Sequence, residues 1–214
     1  MRIALIKRKI LNTGALWLSQ IKLIPLLLRL NKNSIVIDCG ANVGHITSLL
    51  ARTGATVYAF EPDPVAFKLL QHRVKNKKNV TIIKKGVWDR NTSLSLFRHI
   101  DSRSNETAFT VASSIVQNKI NVNADTSKAE QIEVIDLIGF IRQLGKRVSM
   151  IKLDVEGAET EILKKILETK AYTLFDMMYV ETHETKIPGQ KTALMNIKKE
   201  MAAKGVTNIK LNWL

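Results

Sequence analysis

From residue 34 onward the chain alternates short apolar runs with longer segments of mixed polarity. The apolar runs are rich in Val and Ile, which is typical of strands buried on both faces of a parallel sheet. They predict strands at 34–38, 56–60, 80–84, 149–153, 176–180 and 208–213. The intervening segments predict helices at 45–53, 63–76, 135–144, 159–169 and 190–204. Residues 87–135 are less regular, and we expect hairpin strands and a loop there, with alternation over 93–97.

The regular alternation of strands and helices predicts an α/β fold with a doubly wound, mostly parallel sheet and helices on both faces. Ligands of such sheets bind beyond the carboxyl ends of the strands, near the point where the strand order reverses. Glycines and polar residues should therefore follow the strands directly. They do so in five places, at 38–44, 61–62, 86, 154–157 and 181–183.

The loop after the first strand reads Asp-Cys-Gly-Ala-Asn-Val-Gly over residues 38–44. Gly40 and Gly44 allow a sharp turn and a close approach of the backbone to a ligand, and the next helix begins at once with free N–H groups. The loop is shorter than the G-x-G-x-x-G pattern of dinucleotide sites, which favours a ligand without a pyrophosphate. Glu61 ends the second strand 17 residues after Gly44, where a carboxylate can accept hydrogen bonds from ribose hydroxyls.

Three motifs together resemble the FkbM family of methyltransferases, and the resemblance covers residues 34–183. They are Val36-Ile-Asp-Cys-Gly-Ala-Asn-Val-Gly44, Phe60-Glu-Pro-Asp63 and Ile151-Lys-Leu-Asp-Val-Glu-Gly-Ala-Glu159. The resemblance implies the Rossmann-like class I methyltransferase fold, S-adenosyl-L-methionine as cofactor and methyl transfer to a hydroxyl oxygen. It also implies the cofactor-binding residues: Asp38, Gly40, Asn42 and Gly44 at the methionine end, Glu61 and Pro62 at the ribose, and Gly86 and Trp88 at the adenine.

The catalytic candidates follow the fourth strand, which this topology places beside the strand of the glycine loop. Period-two alternation puts Lys152 and Asp154 on one side of the backbone. Asp154 is the leading candidate to orient the acceptor hydroxyl or to take its proton. Lys152 could keep Asp154 ionised or stabilise a developing alkoxide, and Glu156 could reach the methionine part of the cofactor.

His183 follows the fifth strand and is the second candidate for the general base, with a structural role as the alternative. Glu159 suits the start of a helix, where an acid complements the helix dipole. In the resembling family the middle segment, with Ser113 and Ser114, helps to shape the acceptor side.

No CxxC or HxH cluster occurs, so we predict no metal site, although the acids at 154 and 156 leave magnesium open.

The formal charge of +14 is the unusual bulk property. Residues 1–33 and 68–85 contain several lysines and arginines and no acid. Such surfaces attract nucleic acid, anionic lipid or phosphorylated substrates, and a merely solvated lysine-rich surface is the alternative. The single cysteine, Cys39, excludes an internal disulfide and fits a reducing compartment, so we expect a cytoplasmic location.

The motifs divide the chain into a basic N-terminal extension, residues 1–33, and a cofactor-binding domain, residues 34–214. The extension could be a helical cap, a segment at a membrane surface or a targeting peptide. Lys22, Pro25 and Arg29 interrupt its apolar part, which argues against a membrane span.

Four functions stay open at this point. The favoured one is O-methylation of a small molecule or sugar, followed by RNA methylation and by a non-catalytic cofactor-binding module at a membrane surface. The short glycine loop disfavours the fourth, a nicotinamide enzyme. The oligomeric state is not indicated.

Overall fold

The computed structural model describes residues 24–96, 130–184, 187 and 189–211. A six-stranded sheet has the order β3-β2-β1-β7-β8-β9, and a smaller sheet has the order β4-β6-β5. The strands are β1 (Ile35–Cys39), β2 (Thr56–Phe60), β3 (Val80–Ile83), β4 (Gly86–Trp88), β5 (Thr92–Leu96), β6 (Glu130–Asp136), β7 (Val148–Leu153), β8 (Phe175–Val180) and β9 (Ile209–Lys210). The helices are α1 (His45–Arg52), α2 (Pro64–Val74), α3 (Leu137–Gln143), α4 (Glu159–Glu168) and α5 (Gln190–Ala203).

Every strand pair of the large sheet is parallel, which confirms the predicted doubly wound class. The strand order reverses at β1, which pairs with β2 on one side and with β7 on the other. Asp38 of β1 lies directly opposite Lys152 of β7 in the register. The glycine loop and the loop that follows β7 therefore leave the sheet side by side, as the sequence predicted.

The central strands are buried on both faces, which explains their continuous apolar sequences. On one face, Ile37 and Cys39 pack in a cluster with side chains of α3, α4 and α5. On the other face, Val36 packs with Leu50 of α1. The two faces are thus covered by different helices, and the candidate site residues lie at the ends of the strands.

The predicted helix at 135–144 was wrong in its first two residues, because Ile135 and Asp136 end strand β6. Asp136 then caps α3, with its side chain accepting a hydrogen bond from the N–H of Ile138 (3.1 Å). A short strand that runs straight into a capped helix gives a continuous apolar pattern, and periodicity alone cannot divide it. The last strand is also shorter than predicted within the described residues, at Ile209–Lys210.

The described part of the N-terminal extension lies against the domain. Residues 24–27 are helical. Leu30 is buried, and Leu26 and Leu27 pack with it against the cluster around Val36 and Leu50. Residues 1–23 of the predicted extension, together with Ser113 and Ser114, lie outside the described residues. Among the helices that the structure describes, none is both long and apolar enough to cross a membrane.

Candidate active site

A cavity opens at the carboxyl ends of β1, β2 and β7, where the sequence placed the site. It holds about 650 Å³, part of which is open to solvent. Seven of the predicted site residues line it: Gly40, Asn42, Glu61, Pro62, Gly86, Asp154 and Glu156. Five others are not among the lining residues: Asp38, Gly44, Trp88, Lys152 and His183.

An apolar wall, which we define as Val87, Leu96, Ile132 and Val134, closes one side of this cavity. It comes from the small sheet, one side chain from β4, one from β5 and two from β6. This wall was not predicted from the sequence. The signal was present, since residues 131–134 alternate between polar and apolar positions. Trp88, predicted at the adenine, packs instead against neighbouring apolar clusters, and Val87 faces the cavity.

Gly40 allows the two loops at the site to touch. It has a positive φ of 77°, and a Cβ added there would lie 1.8 Å from the carbonyl oxygen of Asp154. The N–H of Asp154 in turn donates to the carbonyl of Cys39 (3.1 Å). A residue with a side chain cannot occupy position 40 without moving the β7 loop. The glycine therefore fixes where Asp154 stands relative to the cavity.

Glu61 joins the glycine loop to the start of α2. One of its carboxylate oxygens accepts the N–H of Asn42 (2.7 Å), and the other accepts the N–H of Asp63 (2.8 Å). Its side chain is buried, with 7% of the residue exposed. Burial outweighs the two hydrogen bonds and raises the pKa of Glu61 to about 7. A carboxylate at the cavity wall thus carries an unrelieved desolvation cost.

This raised pKa predicts a pH dependence of stability. Burial raises the pKa of Glu61 to about 7 in the folded chain, whereas the ordinary pKa of a glutamate side chain is 4.5. Between these values the native state binds more protons than the unfolded state, so the free energy of unfolding should fall as the pH rises. The drop should be on the order of 3 kcal/mol at most. Urea unfolding of wild type and Glu61→Gln from pH 4.5 to 7.5 measures it.

The readout in that experiment is the slope and not the absolute stability, because the amide of Gln loses one of the two hydrogen bonds that Glu61 accepts. The variant should show a flatter profile than wild type over this range. Parallel profiles for the two proteins would mean that Glu61 is ionised over the whole pH range. Its hydrogen bonds would then offset the free energy lost by burying its charge.

Lys152 is buried beneath the floor of the cavity, 4% exposed. Its Nζ lies 3.4 Å from Asp38 Oδ1 and 3.3 Å from Asp154 Oδ2, and it donates to the carbonyl of Gly40 (3.0 Å). Burial opposes the ammonium charge, but Asp154 and Asp38 hold the pKa of Lys152 above its usual value. Lys152 thus contacts both loops and is not among the residues that line the cavity.

His183 is buried behind the β7 loop, 2% exposed. Its Nδ1 lies 3.1 Å from Glu159 Oε1, and its Nε2 lies 3.0 Å from Glu156 Oε2 and 4.0 Å from Asp154 Oδ1. Burial lowers the pKa of His183, but contacts with Glu156 and Glu159 outweigh it and raise the value to about 10. The structure therefore brings His183 into contact with the predicted acidic residues.

Glu159 holds the β7 loop in shape from the first turn of α4. Its carboxylate accepts the N–H groups of Val155 (3.1 Å) and Gly157 (2.9 Å) in addition to its contact with His183. Glu156, between them, has a positive φ of 56°. Such a conformation is uncommon outside glycine and is found in segments that the surrounding structure fixes. These contacts and this backbone conformation define the shape of loop 154–157 at the edge of the cavity.

Comparison with known proteins agrees with the geometry. The model of the methyltransferase FkbM domain matches residues 38–205. "Methyltransferase 1" of Beauveria bassiana is 28% identical over 166 residues, which span 72% of this chain and 66% of the fungal protein, just under two thirds of its length.

Among solved structures, precorrin 8W decarboxylase of Methanobacterium thermoautotrophicum has a TM-score of 0.44 at 15% identity, covering 84% of this chain and 68% of that one. An rRNA methylase of Streptococcus thermophilus has a TM-score of 0.43 at 14% identity, covering 81% and 74%. The family match spans most of the chain and includes the first motif from Asp38 onward and the whole of the other two. The chain belongs to the FkbM methyltransferase domain family.

Proposed function

We propose that this chain is an S-adenosyl-L-methionine-dependent methyltransferase that methylates a hydroxyl oxygen of a small molecule or sugar. The charge of the cavity carries the proposal. Four carboxylate residues line it, Glu61, Asp63, Asp154 and Glu156, and none of the described lining residues is a lysine or arginine. A donor with a sulfonium and an ammonium group suits this charge, whereas the pyrophosphate of a nicotinamide cofactor does not.

The residues present also fit the uncharged parts of that cofactor. A carboxylate has about four lone-pair sites, and the two backbone hydrogen bonds to Glu61 use one on each oxygen. The remaining sites could accept the two ribose hydroxyls, which would offset the desolvation of Glu61. The apolar wall offers a surface for a purine ring. We propose Gly40 and Asn42 for the methionine end, with Asp38 and Gly44 shaping the loop from behind.

The bound cofactor would supply an electrophilic methyl carbon. That methyl group would pass to the acceptor oxygen, and the hydroxyl proton would leave to a base of this chain. Asp154 is the proposed base or acceptor clamp, since it lines the cavity. His183 does not line it, and its Nε2 reaches the site only through Asp154 and Glu156. Lys152 holds Asp154 from below.

Glu61→Ala tests the assignment of the ribose site. Above pH 7, where Glu61 is ionised, the change removes charge-assisted hydrogen bonds worth ~1.5–3 kcal/mol each. The affinity for S-adenosylhomocysteine should therefore fall at least ~10-fold at that pH. Calorimetric titration measures it. Glu161→Ala is the matched control, because Glu161 is an exposed acid on α4 outside the cavity. Equal affinities of the two variants would remove Glu61 from the cofactor site.

A second candidate, RNA methylation, is favoured by one observation. Exposed basic residues extend along α2 and past the edge strand β3: Lys68, Arg73, Lys75, Lys78 and Lys84. Helix α2 begins directly after Asp63, which lines the cavity, so a nucleic acid on this surface would lie near the site. RNA binding that weakens steeply with added salt would support this candidate. Salt-independent turnover of a small hydroxyl acceptor would support the first.

The division into an extension, residues 1–33, and a domain, residues 34–214, remains our proposal. The packing of Leu30 against the domain core favours a docked cap over a separate membrane-surface segment. A cytoplasmic location is likewise proposed, on the strength of the single buried cysteine.

A further inference from the structure

We infer that Asp154, Glu156 and His183 form a binding site for a divalent metal ion at the edge of the cavity, with Glu159 behind it. We predicted no metal site from the sequence, because it contains no CxxC or HxH cluster, although the acids at 154 and 156 left magnesium open. The fold brings these two acids together with His183. Asp154, Glu159 and His183 each have a potential ligand atom within 4.8 Å of the others, and Glu156 Oε2 lies 3.0 Å from His183 Nε2.

The distances between these atoms suit a common metal ion. With metal–ligand bonds of about 2.1 Å, adjacent ligands of an octahedral ion lie about 3.0 Å apart and opposite ones about 4.2 Å. His183 Nε2 lies 3.0 Å from Glu156 Oε2 and 4.0 Å from Asp154 Oδ1. Both separations fall in that range, so His183 Nε2 lies at a distance from each carboxylate oxygen that suits two ligands of one ion.

The direction of the His183 ring supports the same conclusion. Its Nε2 is buried and makes no hydrogen bond with the described residues, despite the 3.0 Å contact with Glu156. A hydrogen bond requires the acceptor to lie close to the N–H axis. A ligand at the adjacent corner of an octahedral ion lies about 45° away from that axis. The contact with Glu156 is thus short enough for two ligands of one ion, and it is not aligned as a hydrogen bond.

Metal sites require neighbouring residues that hold the ligands in position, and two such residues contact these ligands. Glu159 accepts from His183 Nδ1 (3.1 Å) and so directs Nε2 toward the site, the carboxylate–histidine–metal arrangement. Lys152 contacts Oδ2 of Asp154 (3.3 Å), while Oδ1 is the oxygen nearer to His183. One imidazole with two carboxylates favours a first-row ion such as Mn²⁺ over Mg²⁺, which prefers oxygen ligands alone.

The role of the ion rests on the proposed function, but its binding does not. Asp154 and Glu156 line the cavity, so an ion there could hold the acceptor hydroxyl and stabilise the alkoxide as its proton leaves. The acidic cluster would then position the acceptor through the ion as well as through Asp154 itself.

The test is titration of the full chain with Mn²⁺ followed by electron paramagnetic resonance, without cofactor. We expect one bound ion per chain. Glu156→Gln should weaken binding at least ~10-fold. Glu159→Gln, which weakens the support of both His183 and the β7 loop, should weaken it by ~10–100-fold. Glu184→Gln is the matched control, since it removes the same charge one residue from His183 and outside the cluster. It should bind as wild type does.

Failure to bind Mn²⁺ or Zn²⁺ at millimolar concentration would overturn the inference, as would equal binding by wild type and Glu156→Gln. If Glu156→Gln does not fold, Asp154→Asn takes its place under the same criteria. Titration of the same samples with S-adenosylhomocysteine separates the two claims. Binding of Mn²⁺ without binding of the cofactor product would leave the metal site and reject the proposed function, and the converse would reject only the metal site.

Discussion

Asp154→Asn is expected to lower the rate of methyl transfer by ~10²–10⁴ while the affinity for S-adenosylhomocysteine changes little. The substitution keeps the size of the side chain and removes its charge. Asp154 lines the cavity and contacts Lys152 (3.3 Å), and it approaches His183 (4.0 Å). The loss should therefore appear in kcat, because the carboxylate acts on the acceptor and Glu61 binds the ribose side.

The matched control is Asp176→Asn, an exposed aspartate at the opposite end of the neighbouring strand β8, which should retain near-normal turnover. His183→Ala, measured in parallel, separates the two candidate bases. Near-normal turnover in Asp154→Asn together with a large loss in His183→Ala would transfer the role to His183. Loss of cofactor affinity in step with activity would place both residues in the cofactor pocket.

Gly40→Ala should cause the largest loss of stability of any single change at the site. The new Cβ would lie 1.8 Å from the carbonyl oxygen of Asp154, and that oxygen belongs to backbone and cannot rotate away. The β1 and β7 loops would have to separate, at a cost of about 3 kcal/mol or more, with added strain from the positive φ of 77°. Urea unfolding measures the free energy lost.

Gly145→Ala is the matched control for that experiment. Gly145 also has a positive φ, 60°, but an added Cβ would meet no atom within 4 Å. This variant should lose only the backbone strain, about 1 kcal/mol. Similar losses in the two variants would show that the loops can separate freely and that Gly40 does not fix the position of Asp154.

The sequence was sufficient to predict the parallel sheet and the edge at which the cavity opens. Strands with a continuous apolar sequence are buried on both faces of the sheet, so their pattern specifies the fold. Because the strands are parallel, the residues that follow them must meet at one edge of the sheet. This places Gly40, Glu61 and Asp154 together without any knowledge of side-chain contacts. The predicted pairing of the fourth strand with the first is confirmed by the register of Asp38 with Lys152.

The side-chain contacts within the site could not be predicted from the pattern of apolar and polar residues. Glu159 and His183 are 24 positions apart and meet only because β7 and β8 are neighbours in the folded sheet. The strand order can be guessed from topology, but the direction of a buried imidazole depends on packing. The apolar wall was missed for a related reason. Its side chains come from strands on both sides of residues 97–129, so its parts are far apart in the sequence.

The most direct test of the cofactor assignment is a comparison of ligand stabilisation by S-adenosylhomocysteine and by NAD. The carboxylates at the cavity wall and the short glycine loop both predict that only the first will bind. At ~100-fold excess over its dissociation constant, a ligand of the native state adds about 2.7 kcal/mol. We expect S-adenosylhomocysteine to raise the melting temperature and NAD to leave it unchanged. A rise with NAD and none with S-adenosylhomocysteine would contradict the account.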